Sequence, residues 1–325
     1  MEDNSLKYKK RLEYIYSLQD LQLKKLLLFY LQTSTYTYLG PYADFARNLP
    51  DDIEQLCVLQ RMQTIHSAVF AIDKNIKNDA NNIIGDMTKI PVDRFNNEED
   101  IYQTAISIFS ELLRRDETYS IERQANKKIH IVCRGNALML ASTLKAKGIP
   151  ARVRVGFAKY HYTDGKCDDQ WNTEYYDINE HRWIMVDSSG IGGNTAIPNQ
   201  ILDVPKNQFF TAAEAWLKLR NNSIPSNIKL VDAGGYSDLK AAWLQLMNDF
   251  NSLMNNEKSF IFQPVYMYDF KNNHYYIRDF TDDELIELDN LATLMLDCDK
   301  NLEKLYKIYK DNPKFKIMLG ISTWN

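Results

Sequence analysis

Cysteine is scarce in this chain of 325 residues, and the four present, Cys57, Cys133, Cys167 and Cys298, show no C-x-x-C spacing. That argues against a disulfide framework and predicts reduced thiols in a cytoplasmic setting. Glycine (12) and proline (9) are outnumbered by tyrosine (20) and phenylalanine (14), so the chain reads as well packed rather than linker-rich. Long apolar runs are missing. The densest, Leu26-Leu27-Leu28-Phe29-Tyr30-Leu31, is too short to span a bilayer, and the start, Met1-Glu2-Asp3-Asn4, carries no signal-peptide apolar region. No excess of positive charge exists either. A net charge of -4 and a pI near 5.8 argue against a general phosphate-binding surface, so neither nucleic acid nor membrane is an expected partner. A metal set can be assembled from His130, Cys133 and Cys167, but the spacing fits no familiar zinc pattern and no fourth ligand suggests itself. The expectation is no metal and no cofactor.

With 45% hydrophobic and 25% charged residues, the chain has the composition of a globular protein able to bury a sizeable core. Apolar spacing predicts a helix from Ser17 to Gln32. Asp51 and Asp52 open a second, carrying Ile53, Leu56, Cys57, Met62, Ile65, His66 and Val69, with Cys57 read as a small core residue. Lys74 to Asn82 reads as a loop. Asn97-Glu98-Glu99-Asp100 is expected to open a third helix ending at Arg114-Arg115, acids first and bases last as the helix dipole prefers. Gly190-Ile191-Gly192-Gly193 reads as a chain reversal, since no Lys-Ser/Thr follows it. Thr211 to Glu214 and Thr281 to Glu284 are capping boxes, Ser237 starts a long helix, and Leu302 to Tyr309 forms a last one. These elements suggest a helical N-terminal segment (1–96), a small α+β core (97–205) and a helical C-terminal segment (206–325), packed as one unit.

The chemistry concentrates between Ile129 and Ser189. Cys133 is followed by Ala137, Leu140, Ala141 and Leu144 at helical spacing, and Gly148 and Pro150 end the run. A cysteine opening a helix meets unpaired N–H groups and the positive end of the macrodipole, both of which favour thiolate. Ala151 to Phe157 alternates like a half-buried strand. Asp169 to Tyr176 is a further strand and Arg182 to Asp187 its return, around the turn Asp177-Ile178-Asn179-Glu180-His181. A loop centred between Asn179 and Glu180 sets Asp187 opposite Asn172, with Gln170 on the same face. A cysteine, a mid-strand group and an aspartate converging in this way form the scaffold of a cysteine acyl-transfer triad.

Cys133 with its helix, Gly148-Ile149-Pro150-Ala151-Arg152, the Asp169-Gln170-Trp171-Asn172-Thr173-Glu174-Tyr175 strand and Trp183-Ile184-Met185-Val186-Asp187 resemble the transglutaminase-like superfamily. That is the papain-related group with Cys, His and Asp in chain order. Leu49-Pro50-Asp51-Asp52, Leu202-Asp203-Val204-Pro205 and Ala212-Ala213-Glu214-Ala215-Trp216 resemble a bacterial branch with helical flanks. The resemblance implies an α+β, papain-like core, with Cys133 as nucleophile and Asp187 as the orienting acid. Gln170 stands where the family carries its histidine. Arg134-Gly135-Asn136 also departs from the Arg-Asp-Phe common after the cysteine in that branch.

Glutamine takes up no proton near neutral pH, and losing the general base costs about two to four orders of magnitude in rate. Among the histidines, His161 in the Tyr160-His161-Tyr162-Thr163-Asp164-Gly165 loop is the substitute-base candidate. Trp171 is expected in the core, and Glu174 is expected to hold Arg152 or Arg154. Two functions stay open. One is an acyltransferase or amide hydrolase of reduced or altered activity, working through a Cys133 thioester. The other is an inactive relative whose cleft binds a peptide or protein partner.

Overall fold

A computed structural model describes residues 4–66, 92–162, 164–189, 202–259, 262 and 277–317. The chain forms two units, Met1–Val153 with Trp171–Pro205, and Arg154–Gln170 with Lys206–Asn325. The 97–205 segment therefore contributes residues to both. The architecture is α+β, as expected. No helix among the described residues is long and apolar enough to cross a membrane.

The first unit opens with α1 (Asn4–Ser17) and α2 (Leu21–Leu31). The apolar phase suggests one helix from Ser17, but Asp20 interrupts it: its carboxylate accepts the N–H groups of Gln22 and Leu23 and starts α2 afresh. After α3 (Ala43–Arg47), α4 (Ile53–Arg61) begins where Asp52 accepts the Gln55 N–H at 2.8 Å. It stops short of the expected length. Ile65 instead belongs to β1 (Thr64–Ile65), which pairs in parallel with β2 (Ile129–His130), and His66 follows that strand. The backbone of Gln63 and Ile65 accepts the N–H groups of Ile129 and Ile131, a pairing no local pattern announces. Val69, the loop from Lys74 to Asn82 and the turn Gly190 to Gly193 lie outside the described residues.

The expected third helix is two, α5 (Val92–Ile101) and α6 (Ala105–Arg115). Thr104 and Ser107 exchange side-chain and backbone hydrogen bonds and cap α6 independently. Glu98, Glu99 and Asp100 thus lie at the end of α5, not at a helix start. Ile108, Phe109 and Leu112 of α6 are fully buried in a core with Ile129, Ile131, Leu138 and Met139. Each such side chain contributes about 1.5–3 kcal/mol by leaving water.

At the centre stands α7 (Cys133–Ala146), buried throughout from Cys133 to Lys145. Gly148 closes it in the left-handed region, φ 81°, as its position after the last apolar residue predicts. The Nζ of Lys147 donates to the carbonyls of Arg47 and Leu49 and pairs with Asp51 at 3.2 Å, while the Arg11 guanidinium donates to the Lys147 carbonyl at 2.9 Å.

Two strands, β3 (Ala151–Ala158) and β4 (Lys166–Asp177), contribute residues to both units, and β5 (Arg182–Val186) belongs to the first. The β4–β5 pairing runs from Thr173 opposite Val186 to Asp177 opposite Arg182. This is the register expected from a loop centred between Asn179 and Glu180.

In the second unit, β6 (Phe209–Thr211) lies antiparallel to Gly156-Phe157-Ala158 of β3. A Cβ at position 156 would stand 2.0 Å from the Phe210 carbonyl oxygen, so that approach needs glycine. Next come α8 (Ala212–Arg220), β7 (Lys229–Val231) parallel to the start of β4, α9 (Asp238–Leu253), α10 (Asp282–Leu296) and α11 (Leu302–Asp311). Both expected capping boxes form, Thr211 with Glu214 and Thr281 with Glu284. Asp289 of α10 accepts the Trp216 indole N–H at 2.7 Å and pairs with Arg220, which fastens α10 to α8.

Candidate active site

Cys133 is the first residue of α7 and is buried. The preceding Val132 is extended and offers no side-chain cap, so the cap comes from elsewhere in the chain. Glu99 of α5 accepts the Val132 N–H at 2.8 Å, and its other oxygen lies 3.9 Å from the Arg134 guanidinium. Burial is the largest influence on Glu99 and pushes its carboxyl up to about 7, against the pull of Arg134 and the Val132 N–H. Arg134 is wholly buried, donates to the Gln103 carbonyl at 3.0 Å and stacks 5.5 Å from the Tyr36 ring centre. One turn into the helix, Asn136 donates to the Val132 carbonyl and accepts the Thr64 hydroxyl at 2.9 Å. Cys133 is thus bracketed by residues whose backbone or side chain is held by α5 and β1.

Asp187 follows β5 and is buried. One of its oxygens accepts both the N–H (2.9 Å) and the hydroxyl (2.5 Å) of Ser189. Its charge also reaches two residues of α4. Burial first, and Asp187 second, push the Cys57 thiol up to about 12. Burial lowers the Arg61 guanidinium while Asp187 opposes that shift. Sequence reading placed Cys57 correctly in the core but missed Arg61 and Ser189 as companions of Asp187. The available signal was the spacing of Cys57 and Arg61, one helical turn apart on one face. In the same unit, the Thr173 hydroxyl of β4 donates to the Ala137 carbonyl of α7 at 2.9 Å, tying the hairpin to the cysteine-bearing helix.

Cys133 and Asp187 belong to the first unit, whereas Gln170 and His161 belong to the second. Gln170 is fully buried in β4. His161, just beyond β3, places Nδ1 2.7 Å from the Asp168 carboxylate and sets its ring edge-on to Tyr160 at 4.7 Å. Elsewhere on β4, burial raises the Cys167 thiol to about 11. Burial, then Asp232 and Asp168, raise Asp169 to about 7, although Asp169 accepts the Ala233 N–H. Trp171 is buried, as expected. Glu174 takes Arg152, at 2.7 Å, and the guanidinium stacks 4.0 Å from the Trp183 ring centre. Arg154 goes instead to Asp249. No group of three His, Cys, Asp or Glu side chains among the described residues is arranged to hold a metal ion.

No protein-family model matches the chain, and no curated protein matches it. A solved structure from Cytophaga hutchinsonii, described as a candidate cysteine protease, is similar at 14% identity with a TM-score of 0.33. The similarity covers 62% of this chain and 51% of that one, so the chain spans about half the length of that protein.

Proposed function

We propose that this is a transglutaminase-like protein whose Cys133 acts on an amide bond of a peptide or protein substrate in the cytoplasm, without nucleic acid or membrane as partner. The observation that carries this reading is the position of Cys133 as the first residue of a buried helix, where backbone N–H groups and the macrodipole favour thiolate. The β4–β5 register, which follows the spacing expected of the family hairpin, supports it. In this reading the Cys133 sulfur attacks the amide carbonyl carbon, the amine leaves with a proton, and a thioester remains for water or a second amine to cleave. Asp187 is the acid of the site, and the family resemblance puts Gln170 at the base position in the sequence. Gln170 cannot protonate the leaving amine, so activity is reduced or altered.

A second reading, in which the base has moved, is favoured by the His161–Asp168 pair. A carboxylate on Nδ1 is the arrangement that orients a catalytic imidazole. The test is hydrolysis of an activated acyl ester by the parent, Cys133→Ala and His161→Ala proteins. A Cys133-dependent rate supports the enzyme reading, and its loss in His161→Ala supports the moved base. A rate untouched by Cys133→Ala overturns both and leaves a protein that only binds its partner.

A further inference from the structure

A cavity of about 210 Å³ opens among residues of the first unit, at the far end of α7 from Cys133. It is bounded by α1, the start of α4, the turn at 148–150 and the end of β4 with its hairpin loop. At 1.5 Å per residue, the fourteen residues of α7 put about 20 Å between this end and Cys133. Its described lining includes neither Cys133 nor Asp187.

The walls carry charges of both signs. On the α1 side, Asp51 faces three cations: Lys7 at 2.5 Å, Lys147 at 3.2 Å and Arg11 at 3.5 Å. The neighbouring Asp52 is turned to α4, where it accepts the Gln55 N–H. One carboxylate cannot neutralise three cations. Arg11, which lines the cavity, gives one N–H to the Lys147 carbonyl and keeps others unspent. On the hairpin side, Asp177 turns one oxygen to the N–H groups of Asn179 and Glu180. Its other oxygen accepts no hydrogen bond from the described residues. Arg182, opposite Asp177 in the hairpin, is held instead by Glu180 and Asp203, at 2.6 Å each. Much of the remaining lining is aliphatic: Ile15, Ile53, Ile149, Pro150 and Ile178.

We propose that this cavity binds a small zwitterion with an aliphatic body, a molecule of the amino-acid class, with its carboxylate on Arg11 and its ammonium on Asp177. The site is separate from the thiol chemistry proposed above. A ligand covering the cavity takes both charged groups out of water, and each then needs a partner. A simple carboxylate serves Arg11 and strands Asp177, and a simple amine does the converse. A sugar would set its hydroxyls against the five aliphatic residues. Size narrows the class further, since sites for drug-sized ligands and cofactors enclose about 300–1,000 Å³.

Calorimetric titration of the full chain with leucine, 6-aminohexanoate, 4-methylpentanoate and 3-methylbutylamine tests this. The last two are leucine without its ammonium and leucine without its carboxylate. One of the two zwitterions should bind with a dissociation constant below about 1 mM, at least about tenfold tighter than either singly charged analogue. Leucine ahead means that the two charges of the site stand close together, and 6-aminohexanoate ahead means that they stand apart; both support the site. Asp177→Asn keeps the oxygen that accepts the Asn179 and Glu180 N–H groups but removes the charge, so it should lose about tenfold for the better zwitterion. It should lose nothing for 4-methylpentanoate. Should Asp177→Asn not fold, a folded Arg11→Gln should show the same loss for the zwitterion. No binding of either zwitterion, equal binding of a singly charged analogue, or binding unchanged in the variant overturns the site. Cys133→Ala should bind the zwitterion like the parent, whether or not the thiol is reactive. Binding lost in Cys133→Ala would place the ligand at the cysteine and overturn the proposal.

Discussion

Glu99 accepts the backbone N–H of Val132 at 2.8 Å, one residue before Cys133. The carboxyl that caps the helix is therefore also a titrating group beside its first turn. Its value is raised from 4.5 to about 7, so the folded protein holds this proton more tightly than the unfolded chain does. Stability should fall as pH rises from about 4.5 to about 7 and level off above, by an amount on the order of 3 kcal/mol for this group. Asp169, raised to about 7, adds a loss of the same sign. Glu99→Gln keeps an acceptor for Val132 but cannot ionise. Urea midpoints at about pH 5 and about pH 8 should converge in the variant relative to the parent. An unchanged pH slope would mean that Glu99 is ionised throughout.

The four thiols should react in a defined order. Burial drives Cys57 up to about 12 and Cys167 to about 11, which leaves little thiolate in either at neutral pH. Limited alkylation at neutral pH followed by peptide mapping should label Cys133 first and Cys57 last. Labelling of Cys298 or Cys167 ahead of Cys133 would count against the nucleophile assignment.

Arg154 makes two 3.0 Å hydrogen bonds to the two oxygens of Asp249, and Asp249 also accepts the Val155 N–H at 2.8 Å. Both side chains are almost entirely buried. Breaking such a pair strands one charge in the interior, so Arg154→Ala should cost about 3–5 kcal/mol. Replacing both residues by apolar ones should cost much less than that single change. Urea denaturation of the two variants checks the difference.

Gln170→His should be structurally mild, because an imidazole and a carboxamide can donate the same hydrogen bond. With a base restored, hydrolysis of an activated acyl ester should rise at least about tenfold, and the gain should vanish when Cys133→Ala is added. A folded Gln170→His protein with no gain would favour the partner-binding reading.

What the sequence disclosed follows from which interactions are local. The start of α7 at Cys133, its end at Gly148, the capping boxes and the hairpin register depend on residues a few positions apart, and each could be read directly. Glu98 and Glu99 misled for the opposite reason. Their charges suit a helix start, but Arg94, Arg115 and the His130 N–H hold Glu98, while Val132 and Arg134 hold Glu99. Those partners are mostly distant in sequence, and they outweigh a dipole effect of about 0.3–1 kcal/mol. The shortening of α4 before β1 has the same origin, since Thr64 and Ile65 find partners at Ile129 and His130. The surroundings of Asp187 stayed hidden because Cys57 and Arg61 look like any pair one turn apart on a helix.

The clamps on Cys133's helix have a bearing on truncation. Its far end hangs on Lys147, whose ammonium is spent on the Arg47 and Leu49 carbonyls and on Asp51, with Arg11 gripping the Lys147 carbonyl. All four of those partners lie in the first 51 residues. An N-terminal trim that looks like removal of a peripheral helical tail would release the rear anchor of the Cys133 helix. The thiol would then be displaced by an excision whose nearest cut is more than eighty positions away in the chain.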